Sequence, residues 1–600
     1  MIGFDTLAAA GLIDEQRPMN LKDLAGVALG VDNWGKGSQA FGYKEGPPEE
    51  ILARNAARPT KAHLGDLWGD EGMGPYCARD VAYTHMLYES QKPQLREEQG
   101  LSKLLKYLTL PGLEAFGEIE KNGIYLDWEY AAESENILSI RADEAEQELL
   151  EAIDSDLLDE WYEKGLTTKE KKAGATIPVK PVLGNEHFLR ALLFTDERGL
   201  LLNPISFTPA RHEPRVDEGS LKELDHDIPR SLIELRQARK NLSFFDQWRE
   251  WRCDCGRVHP YFNVLKGGGG DGDDDRGGTV SGRRSCDRPN MQQVPKFALM
   301  RGCVSAQPGW LFLEVDYSQL EVRIMAWLSG DETLLAIYND PDGDVYRHFA
   351  SVANDIPESE VTKEQRNKAK PIVLGLLYGM GWRTLQKYAA SQYGVHFTEA
   401  EAETQHRLFF STYIGVARFH LQQKRLVNAN LQVESPTGRI RHLMDILSYD
   451  KFIRGKAERQ AINSPDQGTG GDMNLASIIE LMGFTEFYEG LDPAEVRVVG
   501  DVHDAIHFEL RLDTWRANAK KILEVMEHPR VLIEKLVGAP FPLPMVAEGT
   551  VGARWGQGQG FTLNGSAKIM ALADIEIDPR WGEHRFDEEL GYYKLPEEAA

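Results

Sequence analysis

Two aspartates stand where chemistry could be done. Asp316 ends the apolar run Trp310–Val315, and Asp504 lies in a tight turn, Val502–Ala505, inside the β-rich stretch Val496–Leu510. A buried strand end is a costly place for a lone carboxylate. With a divalent metal the same groups become ligands, because Mg²⁺ takes hard oxygen donors and shares them with phosphates. Two such ions can activate an attacking oxygen and stabilise a leaving one during in-line phosphoryl displacement. Taken singly, either aspartate is more often an ordinary turn or cap residue. A second constellation changes that balance. Arg366, Lys370, Leu374 and Tyr378 recur every fourth position, a spacing that drifts only about 40° per step around a helix. Two cations lead the stripe and a phenol ends it. That order suits a ligand with phosphates at one end and a sugar-like part at the other, although a solvated basic face merging into core has the same pattern.

These residues need elements to hold them. Trp310–Val315 reads as a buried strand, followed by helical periodicity from Leu320 to Leu328. Thr362–Gln392 is expected to be one long helix, kinked or started early at Pro371. Val496–Leu510 is expected to be a hairpin. Leu101–Glu151 is mainly helical, and Leu221–Arg252 has helical spacing interrupted at Pro229. Gly267–Gly278 (GGGGDGDDDRGG) has no apolar residue and is expected to be a solvated loop. The part after Gly560 is acidic and reads as a peripheral tail.

The chain has 600 residues, and roughly 100–200 residues per unit imply three to five subdomains. The net charge of −26 argues against nucleic acid when taken globally, but a local basic groove can coexist with an acidic exterior. No repeat of solenoid period is evident. The N-terminus has no basic start ahead of its apolar stretch, so it does not read as a signal peptide, and no run of about 18 apolar residues suggests a membrane span. The five cysteines are an odd, sparse set, which suggests a reducing compartment. Cys253 and Cys255 have no second pair near them, and structural zinc usually needs four ligands, so no zinc site is expected there.

At this point a resemblance becomes specific. Asp316–Arg323 (DYSQLEVR) with Leu328–Asp331 (LSGD) resembles motif A of family A DNA polymerases, the bacterial DNA polymerase I and phage group. Arg366–Gly379 (RNKAKPIVLGLLYG) resembles their motif B, and Val502–Ala505 (VHDA) their motif C. Thr279–Arg283 (TVSGR) and Pro289–Pro295 (PNMQQVP) are similar to the family's template–primer segment, and Ala457–Arg459, Asn463 and Gln467–Thr469 to another stretch typical of it.

The resemblance implies an α+β multidomain chain with the right-hand polymerase fold of palm, fingers and thumb, preceded by a partial ribonuclease H-like 3′–5′ exonuclease domain. The implied division is exonuclease-like 1–100, thumb and helical region 101–255, palm 256–345, fingers 346–465, palm again 466–560 and tail 561–600. It implies a DNA-templated DNA polymerase that extends a primer 3′-hydroxyl with dNTPs. Asp316 and Asp504 would hold two Mg²⁺ ions, with Mn²⁺ able to substitute. Arg366 and Lys370 would meet the triphosphate, with Lys370 able to protonate pyrophosphate. Gln319 and Leu374 would border the nucleotide, while Glu321 and Tyr378 would exclude a 2′-hydroxyl. Arg283, Asn290, Gln292, Arg459, Asn463, Gln467 and His503 would touch primer–template DNA, where minor-groove acceptors lie in similar places for every base pair. A monomer in the cytoplasm is expected, the host's if the chain is phage-encoded, as its compact layout and Leu374 suggest. Replisome proteins or a separate exonuclease polypeptide are the other candidate partners.

Three positions depart from the family pattern. Leu374 replaces an aromatic, Ala505 replaces the Glu that usually follows the motif C Asp, and Asp466 stands where an apolar residue is usual. Tyr76–Asp80 (YCARD) resembles the last exonuclease motif, and Phe4–Leu7 with Asn20–Ala25 the middle of that domain, but the earlier acidic motifs have no match. Asp80 alone cannot build a two-metal exonuclease site, so this chain is expected to lack proofreading. Two rival readings fit parts of the same sequence. A single-subunit RNA polymerase is disfavoured by Glu321, and a non-catalytic DNA-binding relic by the joint presence of Asp316, Lys370, Tyr378 and Asp504.

Overall fold

The structure is a computed structural model that describes residues 4–15, 20–31, 73–165, 182–208, 211–265, 279–566 and 569–577, with the strand backbones 585–587 and 592–594; for 73–77 only the backbone is described. The glycine- and aspartate-rich stretch 267–278 lies outside these residues.

The elements that matter for the site are, in chain order, α1 (Leu110–Asn122), α2 (Trp128–Glu151), α3 (Asp227–Glu250), β1 (Trp310–Tyr317), α4 (Leu320–Ser329), α5 (Val345–Asn354), α6 (Lys363–Leu377), α7 (Trp382–Tyr393), α8 (Lys451–Leu481), β2 (Val496–Val502), β3 (Ala505–Arg511), β4 (Ala547–Arg554), β5 (Gln557–Thr562) and β6 (Met570–Ala571). The six strands form one sheet in the order β6-β5-β4-β1-β3-β2. β1 is central, antiparallel to both β4 and β3. Its apolar run is continuous because Leu311, Phe312, Leu313 and Val315 are all buried, on both faces of the sheet. The β2–β3 hairpin turns at His503, whose φ of 62° lies in the left-handed region.

Three hydrophobic cores organise most of the described chain. The first joins the sheet to α1 and the C-terminal half of α8. The second is helical and includes residues of α4, α5, α6 and α7. The third, also helical, spans Leu149 to Leu235. Residues 101–138 therefore pack with the sheet, while the helices after them build their own core.

Local sequence explains several boundaries. α6 starts in a capping box: Gln365 N donates to Thr362 Oγ1 at 3.2 Å and Thr362 N to Gln365 Oε1 at 2.9 Å. α3 begins two residues before Pro229, which sits in the first turn, where a missing N–H costs nothing. The expected single helix over Thr362–Gln392 is in fact two. α6 passes through Pro371, held by buried Ile372, Val373, Leu376 and Leu377, and stops at Gly379, whose φ is +73°. An added Cβ at Gly379 would lie 2.8 Å from Ile462 of α8, so glycine is also needed for the close approach.

The tail after Gly560 is not peripheral throughout. β6 pairs with β5, Leu572 and Ile575 are buried in the sheet's core, and Arg516 donates to the carbonyls of Leu572, Ala573 and Ile575. Cys253 and Cys255, read as reduced, are joined as a disulfide. No helix among the described residues is long and apolar enough to cross a membrane.

Candidate active site

Strand register brings the two aspartates to one end of the sheet. Val315 of β1 pairs with Ile506 of β3, so Asp316 comes level with the start of β3, which Asp504 immediately precedes. Asp316 is exposed to the cleft rather than buried, and it accepts the Tyr317 N–H at 2.8 Å. The surrounding protein still crowds it. That crowding, with the Asp504 charge beside it, pushes the carboxyl up to about 7. Glu548 of β4 is the direct partner of Asp316 across the β1–β4 ladder and adds to the same repulsion. Facing pairs share one side of a sheet, so Glu548 stands on the same side as Asp316. Ala505 is buried and contributes no ligand.

Arg283 ties this carboxylate group to the next element. Its Nη2 donates to Asp504 Oδ1 at 2.9 Å and Oδ2 at 3.0 Å, and to Glu321 Oε1 at 2.7 Å. Burial alone would lower the guanidinium pKa; Asp504 and Glu321 outweigh it and raise it. Glu321, in the first turn of α4, accepts the Tyr378 hydroxyl with its other oxygen. Burial first, then the Asp466 and Glu321 charges, pushes the Tyr378 phenol far above its ordinary range. One chain of hydrogen bonds thus runs from Asp504 through Arg283 and Glu321 to Tyr378. Arg283 is positioned by its neighbour, the fully buried Arg284, which binds Asp501 at 2.8 and 3.0 Å, the Gly471 carbonyl at 2.9 Å and Asn474 at 2.8 Å. Gly471 packs against the Gly282–Arg283 backbone, which a Cβ there would touch at 3.4 Å.

The stripe on α6 splits in behaviour. Arg366 donates to Asp344 at 2.7 Å and lies over the Tyr346 ring. Lys370 is half-buried, and among the described residues no carboxylate lies within ion-pair distance of it. Leu374 is partly buried against the helical core. Gln319, in the left-handed region with φ 53°, accepts the Tyr338 hydroxyl at 2.9 Å.

The residues expected at DNA differ in their surroundings. Asn290 Oδ1 accepts the Gln292 N–H at 3.1 Å. Gln292 donates its amide to the Asp501 carbonyl at 2.9 Å, so its nitrogen braces β2. Arg459 and His503 are exposed, and Gln467 is half-buried. Asn463 Oδ1 is buried with no hydrogen-bond partner. Asp466 is fully buried and neither carboxylate oxygen has a partner. Burial, then the Glu321 charge, raises its pKa well above the ordinary carboxylate range, which favours the protonated acid. Of the exonuclease-like pair, the Tyr76 side chain lies outside the described residues, and Asp80 is half-buried on the helix Met73–Glu97. The described residues before position 100 are helical and contain no strand.

Three residues without a place in the motifs contact site residues, Arg284, Asp344 and Glu548, and a fourth, Asp472 of α8, anchors an arginine elsewhere. Asp472, fully buried, binds Arg439 and accepts the Thr437 hydroxyl at 2.7 Å. The repeated arginines of Arg283–Arg284 were visible in sequence, but which of the two faces inward was not.

Comparison with known proteins decides the family. The profile for DNA polymerase family A matches residues 158–557. The chain belongs to DNA polymerase family A. DNA polymerase I of Pseudomonas aeruginosa is 28% identical over 516 residues, covering 84% of this chain and 50% of the relative. The DNA polymerase of Bacillus phage SP01 is 28% identical over 521 residues, covering 80% of this chain and 54% of the relative. The chain therefore spans about half the length of these curated relatives. Among solved structures, the POL domain of Pol1 from M. smegmatis, in complex with DNA primer-template and dNTP, superimposes with a TM-score of 0.69 at 22% identity, over 92% of this chain and 82% of that one. The family A chain thus has the right-hand polymerase fold. Its six-stranded sheet is the palm.

Proposed function

We propose that this family A chain is a DNA-directed DNA polymerase that extends a primer 3′-hydroxyl with dNTPs on a DNA template, in replication of a phage genome. The observation that carries the reading is the placement of Asp316 and Asp504 at one palm edge, linked through Arg283 and Glu321 to the Tyr378 end of the α6 stripe.

The donor set fits hard cations. Asp316 and Asp504, with Glu548 beside them, offer carboxylate oxygens and no sulfur or imidazole. Two Mg²⁺ ions, or Mn²⁺ in their place, would lower the charge on the attacking and leaving oxygens when bound. The reaction forms a bond from the primer 3′-oxygen to the α-phosphorus and breaks the bond from that phosphorus to the bridging oxygen of pyrophosphate. Arg366, released from Asp344, and Lys370 hold the triphosphate, and Lys370 donates a proton to the departing pyrophosphate. Glu321 and Tyr378, closed on each other by a hydrogen bond, leave no room beside C2′ for a further oxygen. Arg283, freed from Asp504 and Glu321, turns to the primer–template, together with Asn290, Gln292, Arg459, Asn463, Gln467 and His503.

Primer extension with Mg²⁺ tests the reading. Wild type should add dNTPs in preference to rNTPs, and Asp504→Asn should bind primer–template without extending it. If wild type binds DNA but never extends it, the relic reading replaces this one. The same chain should not degrade a primer from its 3′ end, because the earlier acidic exonuclease motifs have no match in its sequence; robust Mg²⁺-dependent degradation would overturn that part.

A further inference from the structure

We propose that Cys253, Cys255 and His259 form a Zn²⁺ site in the reduced chain, placed where the helices α1 and α2 meet the strand that leads into the palm. The three residues lie on one turn and the strand after it. Cys253 N donates to Arg257 O at 2.9 Å and Gly256 N to Cys253 O at 3.0 Å, and Arg257–Val258 then pairs with Ile124–Tyr125. One donor atom from each side chain lies within 4.8 Å of the others.

Three further observations turn proximity into a site. First, His259 Nδ1 is 2.7 Å from the Glu120 carbonyl. A carbonyl can only accept, so Nδ1 carries the proton and Nε2 presents its lone pair. That is the tautomer and the anchoring that metal-ligating histidines use. Second, Nε2 is 3.7 Å from Cys255 Sγ. Tetrahedral zinc with its usual Zn–S and Zn–N bonds separates such a sulfur and nitrogen by about 3.5–3.6 Å, a small side-chain adjustment away. Third, the Cys255 N–H donates to Cys253 Sγ at 3.2 Å, a contact that favours a thiolate at that sulfur. The fourth position faces solvent, since Cys255 and Asp254 are exposed.

The two sulfurs are joined in the structure. A bridge across one intervening residue closes so short a loop that it constrains little of the unfolded chain. The disulfide is therefore the closed form of the site. A dithiol reductant opens it by thiol–disulfide exchange: two electrons and two protons convert the bridge to two thiols, and the reductant leaves as its own disulfide. Zn²⁺ then replaces both thiol protons. The surroundings are already built for a pin. Trp128 Nε1 donates to Gly256 O at 2.7 Å, the Arg252 guanidinium lies 4.4 Å from the Trp128 ring centroid, and a Cβ on Gly123 would meet the His259 ring at 2.7 Å. Sequence spacing alone (Cys-x-Cys-x₃-His) held the signal, but without the His259–Glu120 contact it was one of many cysteine pairs.

Co²⁺ titration of the full chain, reduced with a dithiol and freed of it, tests the site. The expected result is one equivalent of Co²⁺ giving a thiolate charge-transfer band and intense tetrahedral visible bands, both displaced by Zn²⁺. The bands should vanish in Cys253→Ser/Cys255→Ser and in the reoxidised wild type. His259→Ala should keep the thiolate band but bind at least tenfold more weakly. Zn²⁺ should also raise the melting temperature of the reduced wild type and not that of the double variant, whose circular dichroism reports whether it folds. Reduced wild type with no thiolate band, or the same band in a folded double variant, would overturn the proposal.

Discussion

The palm edge and the α6 stripe handle charge in opposite ways. At the palm edge, the Arg284 side chain has no exposure and makes four hydrogen bonds to three residues, and Arg283 bridges two carboxylates. On α6, Arg366 has one ionic partner and is about a third exposed. A buried charge cannot lose its partners without a large penalty, whereas a half-exposed one exchanges a carboxylate for a phosphate at little cost. The palm edge is thus a fixed frame and the stripe an adjustable one. Arg283 sits between them: it is held tightly, but by the very carboxylates that substrate and metal would claim.

The sharpest way to break this contrast is at the proposed metal ligands. Asp504→Asn should lower single-turnover primer extension by a factor of about 10³ or more, roughly 4 kcal/mol in the barrier, while primer–template affinity changes little. The next effect should be structural. Arg284→Ala strands the buried Asp501 carboxylate and should cost about 3–5 kcal/mol in denaturant unfolding; Arg366→Ala should cost under about 1 kcal/mol while raising the KM for dNTP. If the two arginines cost the same stability, the contrast fails.

A pH series sharpens the fixed half. Glu480, 1% exposed and accepting the Val531 N–H, has its pKa pushed up to about 7, chiefly by burial. The folded state then holds a proton that the unfolded state has released. Its contribution is complete below about pH 4.5 and is lost as pH rises through 7. Glu480→Gln should remove this dependence, about 3 kcal/mol between acid and mildly alkaline unfolding experiments. A gain rather than a loss of stability is expected at Asp466. Asp466→Val removes an unpartnered buried carboxyl and should stabilise the chain by about 1–3 kcal/mol, more at high pH than at low. Equal stability of the two proteins at every pH would mean that the carboxyl has partners in solution.

Much of the site was legible because its signals are local. The apolar run before Asp316, the turn at Asp504 and the four-residue spacing of α6 each fall within one element, where period and turn chemistry leave a trace in the chain. The errors were also local in origin. The four-residue periodicity continues from Thr362 to Gln392 as if in one helix, and burial of the neighbours of Pro371 in the helical core does outweigh a penalty of about 3 kcal/mol, but Gly379 ends the helix before Gln392. The acidic composition after Gly560 concealed Leu572 and Ile575, two apolar residues that close the palm core.

By itself, then, the sequence determined the strand, the hairpin, the helical stripe and the motif residues they carry. It could not determine which groups face one another across long chain separations. Arg283 meets Asp504 across 221 positions, Arg284 meets Asp501 across 217, and His259 is oriented by Glu120 across 139. Burial and pairing of charge are properties of the packed molecule. Packing decided that Asp316 opens to the cleft beside Glu548, and that Asp504, still without a glutamate neighbour, is held by an arginine instead.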